Sequence, residues 1–173
     1  ANIVADVTNT DSLLSAANTV REQAGRCDIL VNSAGANKHV LPENLHDLTD
    51  DIFDNIIITN TRGVFATIRS FESLLKENGD GLIVNISSTS GQRASPSNVA
   101  YGASKAGLDL MTKTLGKALA PAIRVVGIVP GYMEFATGGT TKPPGVNEKQ
   151  ASGAPLKRIG YGEDIANTVE ACA

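Results

Sequence analysis

The segment AYGASKAGLDL, residues 100–110, places Tyr101 four residues ahead of Lys105. On a helix that interval puts both side chains on one face. A free phenol titrates near ~10, which makes it a poor base and a sluggish acid at neutral pH. A neighbouring ammonium favours the phenolate and brings the group toward the working range. The lysine can also hydrogen-bond the hydroxyls of a ligand. The plain alternative is a helix with an unrelated Tyr and Lys, because the spacing alone also arises by chance. The neighbours add weight. Ala100, Gly102, Ala103, Ser104, Ala106 and Gly107 are all small, so the helix can lie close against a sheet or a second helix and leave the phenol unobstructed. A second group stands thirteen residues upstream. NISSTSG (85–91) follows an apolar run and opens a loop, so its hydroxyls sit at a strand's carboxyl end, where open α/β sheets place their ligands. Ser88 can hold a carbonyl oxygen beside the phenol. Alternatively, Ser87 and Ser88 satisfy turn backbone.

Positioning these groups requires strands and helices in alternation. Four short β-branched runs recur: NIVA (2–5), DILVN (28–32), LIVNIS (82–87) and IRVVGIV (123–129). Each is nearly all apolar, as parallel strands buried on both faces are. Between them lie segments with helical spacing. Residues 10–25 put Leu13, Leu14, Ala17 and Val20 on one face and stop at Gly25. Residues 49–81 open with a Thr–Asp cap and close on Asn–Gly. Residues 99–120 repeat Ala100, Ala103, Gly107, Leu110, Met111 and Leu115. The tail 163–173 reads as a last helix. The β-α-β-α-β-α-β order predicts an α/β fold with a doubly wound parallel sheet flanked by helices. Residues 87–98 and 130–153 are turn-rich and without period, and loops of that length in a compact domain are usually functional or mobile.

Bulk composition narrows the function classes. With 173 residues the chain has the length of one domain and can bury a real core. Hydrophobic content of 42%, charged content of 19% and a net charge of −3 are ordinary for a globular protein. Mild acidity argues against nucleic acid as a partner. No apolar run has the length of a membrane span, so no membrane partner is expected, and there is no signal-like start. Cys27 and Cys172 are far apart and read as reduced thiols in the cytoplasm. His39 and His46 lie in polar loop sequence and read as solvent-facing, so no metal site is expected.

The motifs together resemble the classical branch of the short-chain dehydrogenase/reductase family, over essentially all of residues 1–173. ADV (5–7) is similar to the family's Asp-Val after its third strand, DILVNSAG (28–35) to its Asn-Asn-Ala-Gly segment, and NTRGVF (60–65) to its Asn-x-x-Gly element. Residues 86–88 and 101–105 match its Ser and Tyr-x-x-x-Lys, and PGYME (130–134) its Pro-Gly segment. PLKRIGYGEDIA (155–166) resembles the approach to its last helix, in the style of 3-oxoacyl-acyl-carrier-protein reductases and sugar or polyol dehydrogenases. The resemblance implies a single NAD(P)-binding Rossmann-type domain and hydride transfer between a nicotinamide, NAD or NADP, and a small-molecule carbonyl or alcohol. It implies a catalytic set of Asn60, Ser88, Tyr101 and Lys105. Tyr101 gives or takes the proton, Ser88 orients the oxygen, Lys105 lowers the tyrosine pKa and holds the nicotinamide ribose, and Asn60 holds a water linking Lys105 to solvent. The implied cofactor contacts are Asp6, Val7, Asn32, Ser33, Ala34, Gly35, Ile86, Tyr101, Lys105, Pro130, Gly131 and Met133.

Some features depart from the family pattern. There is no Gly-rich strand–turn–helix to cradle a pyrophosphate, and the expected last strand is missing. A strand at 2–5 would have no neighbour for its backbone polar groups. The domain is therefore expected to be incomplete at both ends. Ser33 replaces an Asn, Val126 replaces an Asn, and Phe135 stands where a Thr is common, with Thr137 as a substitute after a shift. The alternative function is a non-catalytic nucleotide-binding homologue or remnant; an epimerase or dehydratase of the extended branch is disfavoured by the thirteen-residue Ser–Tyr spacing. Apolar residues on more than one face of 49–77 and 99–120, including Ile56, Ile57, Ile58, Phe65, Leu108 and Met111, point to a homo-oligomer, a dimer or tetramer.

Overall fold

Three of the four β-branched runs form strands, β1 (Ile29–Asn32), β2 (Gly81–Ile86) and β3 (Ile123–Ile128). The computed structural model describes residues 2–94, 97–134 and 144–173. The strands lie in the order β1-β2-β3, both pairs parallel, with Asn32 opposite Asn85 and Ile86 opposite Ile128. β2 is central and buried almost throughout, whereas β1 is an edge and leaves Ile29 and Val31 half exposed. Residues 2–5 do not form the expected strand. They are exposed, Val4 at 98%. A β-branched run becomes a strand only beside a partner that takes its backbone groups, and none of the described strands pairs with it.

Helix α1 (Thr10–Ala24) starts where Asn9 accepts the backbone N–H groups of Asp11 and Ser12, and stops at Gly25 in the left-handed region. It buries Leu13, Ala16 and Ala17, but Leu14 faces out, so its buried stripe is narrower than the sequence suggests. The long helical segment is α2 (Asp50–Ile57), a π-helical turn (Ile58–Gly63) and α3 (Val64–Lys76). Helix α4 (Val99–Leu119) is capped by Asn98, whose side chain accepts the Tyr101 N–H at 2.7 Å. Its buried face is Ala100, Tyr101, Ser104, Lys105, Leu108 and Thr112. The predicted stripe is off: Ala103, Gly107 and Leu110 are exposed, because polar side chains occupy the inner face. Part of the 130–153 stretch, expected to be aperiodic, is helix α5 (Val146–Gly153), and α6 (Gly162–Cys172) forms the tail helix.

The main core cluster joins Val64, Ile68 and Leu75 of α3, Ile83 of β2, Leu108 of α4 and Ile123 of β3. Of the apolar residues read from the sequence as lying on more than one helix face, Ile56 and Leu108 belong to the core and Phe65 is half exposed. No helix among the described residues is long and apolar enough to cross a membrane. Gly81 begins β2 and donates its N–H to the Ala122 carbonyl at 3.1 Å. A Cβ there would intrude on the Leu75 carbonyl oxygen. Gly81→Ala is expected to cost about 1–3 kcal/mol through overpacking. Urea denaturation checks this as a lower midpoint at unchanged slope.

Candidate active site

Tyr101 and Lys105 stand on the buried face of α4, at 7% and 5% exposure. The Lys105 ammonium lies 5.8 Å from the centre of the Tyr101 ring and donates to the Ile86 carbonyl at 2.8 Å. Two of the expected site residues, Ile86 and Lys105, are therefore in direct contact. Burial pulls the Lys105 ammonium down from 10.5 to about 8, against an opposing pull from the Asp109 carboxylate.

Ser88 leaves β2 with extended backbone and caps the short turn Thr89–Gly91, its hydroxyl accepting the Ser90 N–H at 3.2 Å. That bond is the turn role anticipated as the alternative, and it fixes Ser88 at the carboxyl end of β2. Gly91 lets the turn sit on α4: a Cβ there would come within 2.7 Å of the Ala106 nitrogen and the Lys105 carbonyl carbon. The Thr89 N–H donates to the Pro130 carbonyl at 3.0 Å, which brings Pro130 to the same turn. Gly131 is exposed, and Met133 is half-buried and bridged to Gly160. Phe135 and Thr137 lie outside the described residues.

Asn60 occupies the π-helical turn, a feature that concentrates at functional sites. Its amide oxygen accepts the Ala36 N–H at 2.7 Å. Its amide nitrogen donates to the Ala36 carbonyl at 2.9 Å and to the Ser104 hydroxyl at 3.0 Å. The Ser104 hydroxyl in turn donates to the Tyr101 carbonyl at 2.8 Å. Asn60 thus reaches Tyr101 through Ser104, and its side chain does not bond Lys105 directly.

The remaining expected contacts gather at the end of β1. Val7, Asn32, Ser33 and Ala34 line one cavity of about 100 Å3 with Thr59, Val64 and Thr67. Gly35 is half-buried just beyond it. Gly63 admits Val7, since a Cβ at 63 would lie 3.0 Å from the Val7 carbonyl oxygen. Asp6 is exposed and accepts the backbone and hydroxyl of Thr8, both at 2.8 Å, which hold its carboxyl below the usual range. Asn32 also donates across the sheet to the Asn85 side chain at 2.8 Å, and Asn85 donates to Thr112 of α4 at 2.9 Å. A larger concavity of about 360 Å3 is formed by the exposed turn Glu43–Asp47 alone and includes none of these residues.

Sequence reading missed Ser104, Ala36, Asn85, Asn98 and Gly91. Only Asn98 carried a local signal, as an Asn directly before a helical run.

A family model described as enoyl-(acyl carrier protein) reductase matches residues 1–171. The chain belongs to the short-chain dehydrogenase/reductase family. It is 36% identical over 168 residues to a 3-oxoacyl-[acyl-carrier-protein] reductase of Thermotoga maritima, covering 96% of this chain and 66% of that protein. It is 31% identical over 168 residues to glucose 1-dehydrogenase 2 of Bacillus subtilis, covering 95% and 64%. Among solved structures it is similar to a short-chain dehydrogenase/reductase from Burkholderia xenovorans, with a TM-score of 0.87 at 29% identity over 95% of this chain and 65% of that one. It is also similar to an NAD+-bound xylitol dehydrogenase, with a TM-score of 0.84 at 28% identity over 96% and 70%. The chain spans about two thirds of the length of these relatives.

The depressed Lys105 pKa has a thermodynamic consequence. Between about 8 and the ordinary lysine value of 10.5 the unfolded chain holds a proton that the folded chain has released. Stability therefore rises with pH across that window. The 13Cε resonance of Lys105 is expected to titrate near 8, and Lys105→Met is expected to remove its share of the rise. A Lys105 midpoint at the ordinary value would contradict the burial account.

Proposed function

We propose that the protein is an NAD- or NADP-dependent oxidoreductase that interconverts a carbonyl and an alcohol on a small molecule of the 3-oxoacyl, sugar or polyol class. The observation that carries this reading is the buried pairing of Tyr101 and Lys105 on one helix face, beside the Ser88 turn. The named activities of the relatives, a 3-oxoacyl reductase, a glucose dehydrogenase and a xylitol dehydrogenase, frame the substrate class.

The residues suit such a cofactor. The β1-end cavity combines apolar walls from Val7, Ala34 and Val64 with short polar groups from Asn32, Ser33, Thr59 and Thr67. That mixture fits a flat heteroaromatic base with neighbouring ribose hydroxyls. Asp6 and Gly35 adjoin the cavity's residues in the chain, and the family pattern assigns Ile86, Lys105, Pro130, Gly131 and Met133 to the nicotinamide end. The bound nicotinamide supplies or accepts the hydride.

The chain's own groups manage the proton and the oxygen. Tyr101 passes the phenol proton to the substrate oxygen, or takes it back in the reverse direction. The Ser88 hydroxyl holds that oxygen in line and stabilises the charge developing on it. The Lys105 ammonium, close to the ring, stabilises negative charge on the phenol and reaches a ribose hydroxyl. The Asn60 amide oxygen spends one lone pair on Ala36 and has a second for a water between Lys105 and solvent.

The two cysteines are free thiols, which suits a reducing cytoplasm. The protein assembles as a homodimer or homotetramer through the outer faces of α3 and α4. There Phe65 is 42% and Leu110 67% exposed, with exposed Ala103 and Gly107 giving close approach.

Two measurements test these statements. Tyr101→Phe is expected to bind NAD(H) or NADP(H) within about threefold of the unsubstituted protein by nicotinamide fluorescence, while turnover of a carbonyl panel falls at least about 100-fold. Near-normal turnover overturns the assignment, as does a failure of the unsubstituted protein to bind either nucleotide. Leu110→Asp is expected to lower the mass seen by light scattering to that of a smaller assembly. A monodisperse monomer of the unsubstituted protein would overturn the assembly.

A further inference from the structure

Ser104 lies between Tyr101 and Lys105 in the chain and is 1% exposed. Both ends of its polar capacity are engaged by consecutive residues of the π-helical turn. The Asn60 amide donates to its hydroxyl at 3.0 Å, and the Thr61 hydroxyl donates to its carbonyl at 3.0 Å. The proton order along this path is fixed. The Ala36 N–H points into the Asn60 oxygen, so the Asn60 nitrogen faces the Ala36 carbonyl and Ser104. The Ser104 hydroxyl must accept there, and its own proton goes to the Tyr101 carbonyl. Reversing any one member would leave a buried group unpaired, which costs more than an average hydrogen bond contributes.

The geometry points to Ser104 as the positioning residue of this site: its hydroxyl fastens the Asn60 turn to the main chain of Tyr101, and thereby sets where the phenol and the neighbouring ammonium stand. A serine bonding back within its own helix does little for the helix and tends to bend it. Here the same hydroxyl also accepts from a second helical segment, forty-four residues away in sequence. The clamp ends on Tyr101, whose neighbour on the same face, Lys105, reaches the Ile86 carbonyl. A small tilt of α4 would therefore move the phenol and the ammonium together. The inference rests on the reading of Tyr101 as the proton-transfer group.

Ser104→Ala removes the acceptor and leaves an Asn60 proton unpaired. We expect kcat to fall about 10- to 100-fold, the cost of a displacement on the scale of an ångström. KM for the nicotinamide cofactor should stay within about twofold, and the Asn60 side-chain amide protons should lose exchange protection by NMR. Ser104→Thr keeps a hydroxyl able to reach a carbonyl within its own helix and should restore most of kcat and the protection. Thr112→Val is the matched control. Thr112 lies on the same helix at similar burial and accepts a bond from Asn85 of β2; its loss should lower the melting temperature comparably while leaving kcat unchanged. Should the alanine protein not fold, Ser104→Cys decides, since its sulfur keeps the volume and accepts poorly. Tyr101→Phe runs alongside: turnover retained there defeats the proton-transfer reading itself. If Tyr101→Phe is inactive while folded Ser104→Ala or Ser104→Cys keeps the unsubstituted kcat, the positioning role is overturned. It is also overturned if Thr112→Val loses kcat to the same degree.

Discussion

The Lys105 ammonium is buried against the end of β2, and much of the surrounding structure is arranged so that it can be. A lysine loses hydration on burial and regains little unless its protons meet an acceptor. The Ile86 carbonyl provides one at 2.8 Å. For Nζ to reach it, α4 must approach the strand end closely. The Ser88 turn must then fit over the helix without a side chain in the way. Gly91 has no Cβ where one would strike the backbone at Lys105 and Ala106, and a Cβ at Gly102 would sit 3.2 Å from the Ser90 carbonyl. Small residues at these contacts are a condition of burying the charge. Because the turn that they admit begins at Ser88, the same condition lays that turn along α4 between Gly102 and Ala106.

Apolar packing alone would not hold that approach to a single register. The cluster of Val64, Ile68, Leu75, Ile83, Leu108 and Ile123 is attractive in many slightly shifted arrangements. Buried amides are directional and penalise a shift, because a displaced partner leaves an unpaired group. Two polar ladders cross from α4 to the rest of the fold. One runs from Asn32 through Asn85 to Thr112, crossing two strands. The other runs from Ala36 through Asn60 to Ser104 and the Tyr101 carbonyl. They meet α4 about two turns apart, so the Ser104 ladder sets the turn that carries Tyr101 and Lys105, while the Thr112 ladder ties the following part of the helix to the sheet. No buried side-chain polar atom among the described residues lacks a partner, as such a double restraint requires.

Local spacing was legible in the sequence, and pairing at a distance was not. Tyr101 and Lys105 share a face because four residues nearly complete a helical turn, a relation contained within the segment. Ser88 could be placed because a β-branched run precedes it directly. The strand expected at 2–5 failed because strand formation needs a partner, and β-branched residues state only a preference. The stripe predicted for α4 was displaced because hydrophobic scoring overlooks Ser104, Lys105 and Thr112, all buried through specific bonds. The π-helical turn carries no signal of its own in ITNTRG, whose Thr, Asn and Gly are weak helix formers. Ser104 looked like one more small residue, since its partner Asn60 is far away in sequence.

The two halves of the candidate site are held very differently. The half around Tyr101 and Lys105 rests on β2, whose flanks are both paired, and on the most deeply buried face of α4. Among the described residues, the half around Asp6, Val7 and the end of β1 rests on β1, which pairs with β2 on one flank, and on a segment without regular structure. The ties of residues 6–8 include Val7 against Gly63, the Arg62 guanidinium on the Thr8 carbonyl at 2.6 Å, and the Ser12 hydroxyl accepting the Asp6 N–H at 2.9 Å. Local opening costs least where buried apolar contacts and protected hydrogen bonds are fewest. Among the described residues that is 6–8, whereas 33–35 are pinned at both ends, by Asn32 bonded to Asn85 and by Ala36 bonded to Asn60, so a shift there is carried into the two ladders that meet α4. Order is thereby concentrated on the face of α4 that carries Tyr101 and Lys105, which is where the proposed reaction would make small displacements cost the most rate.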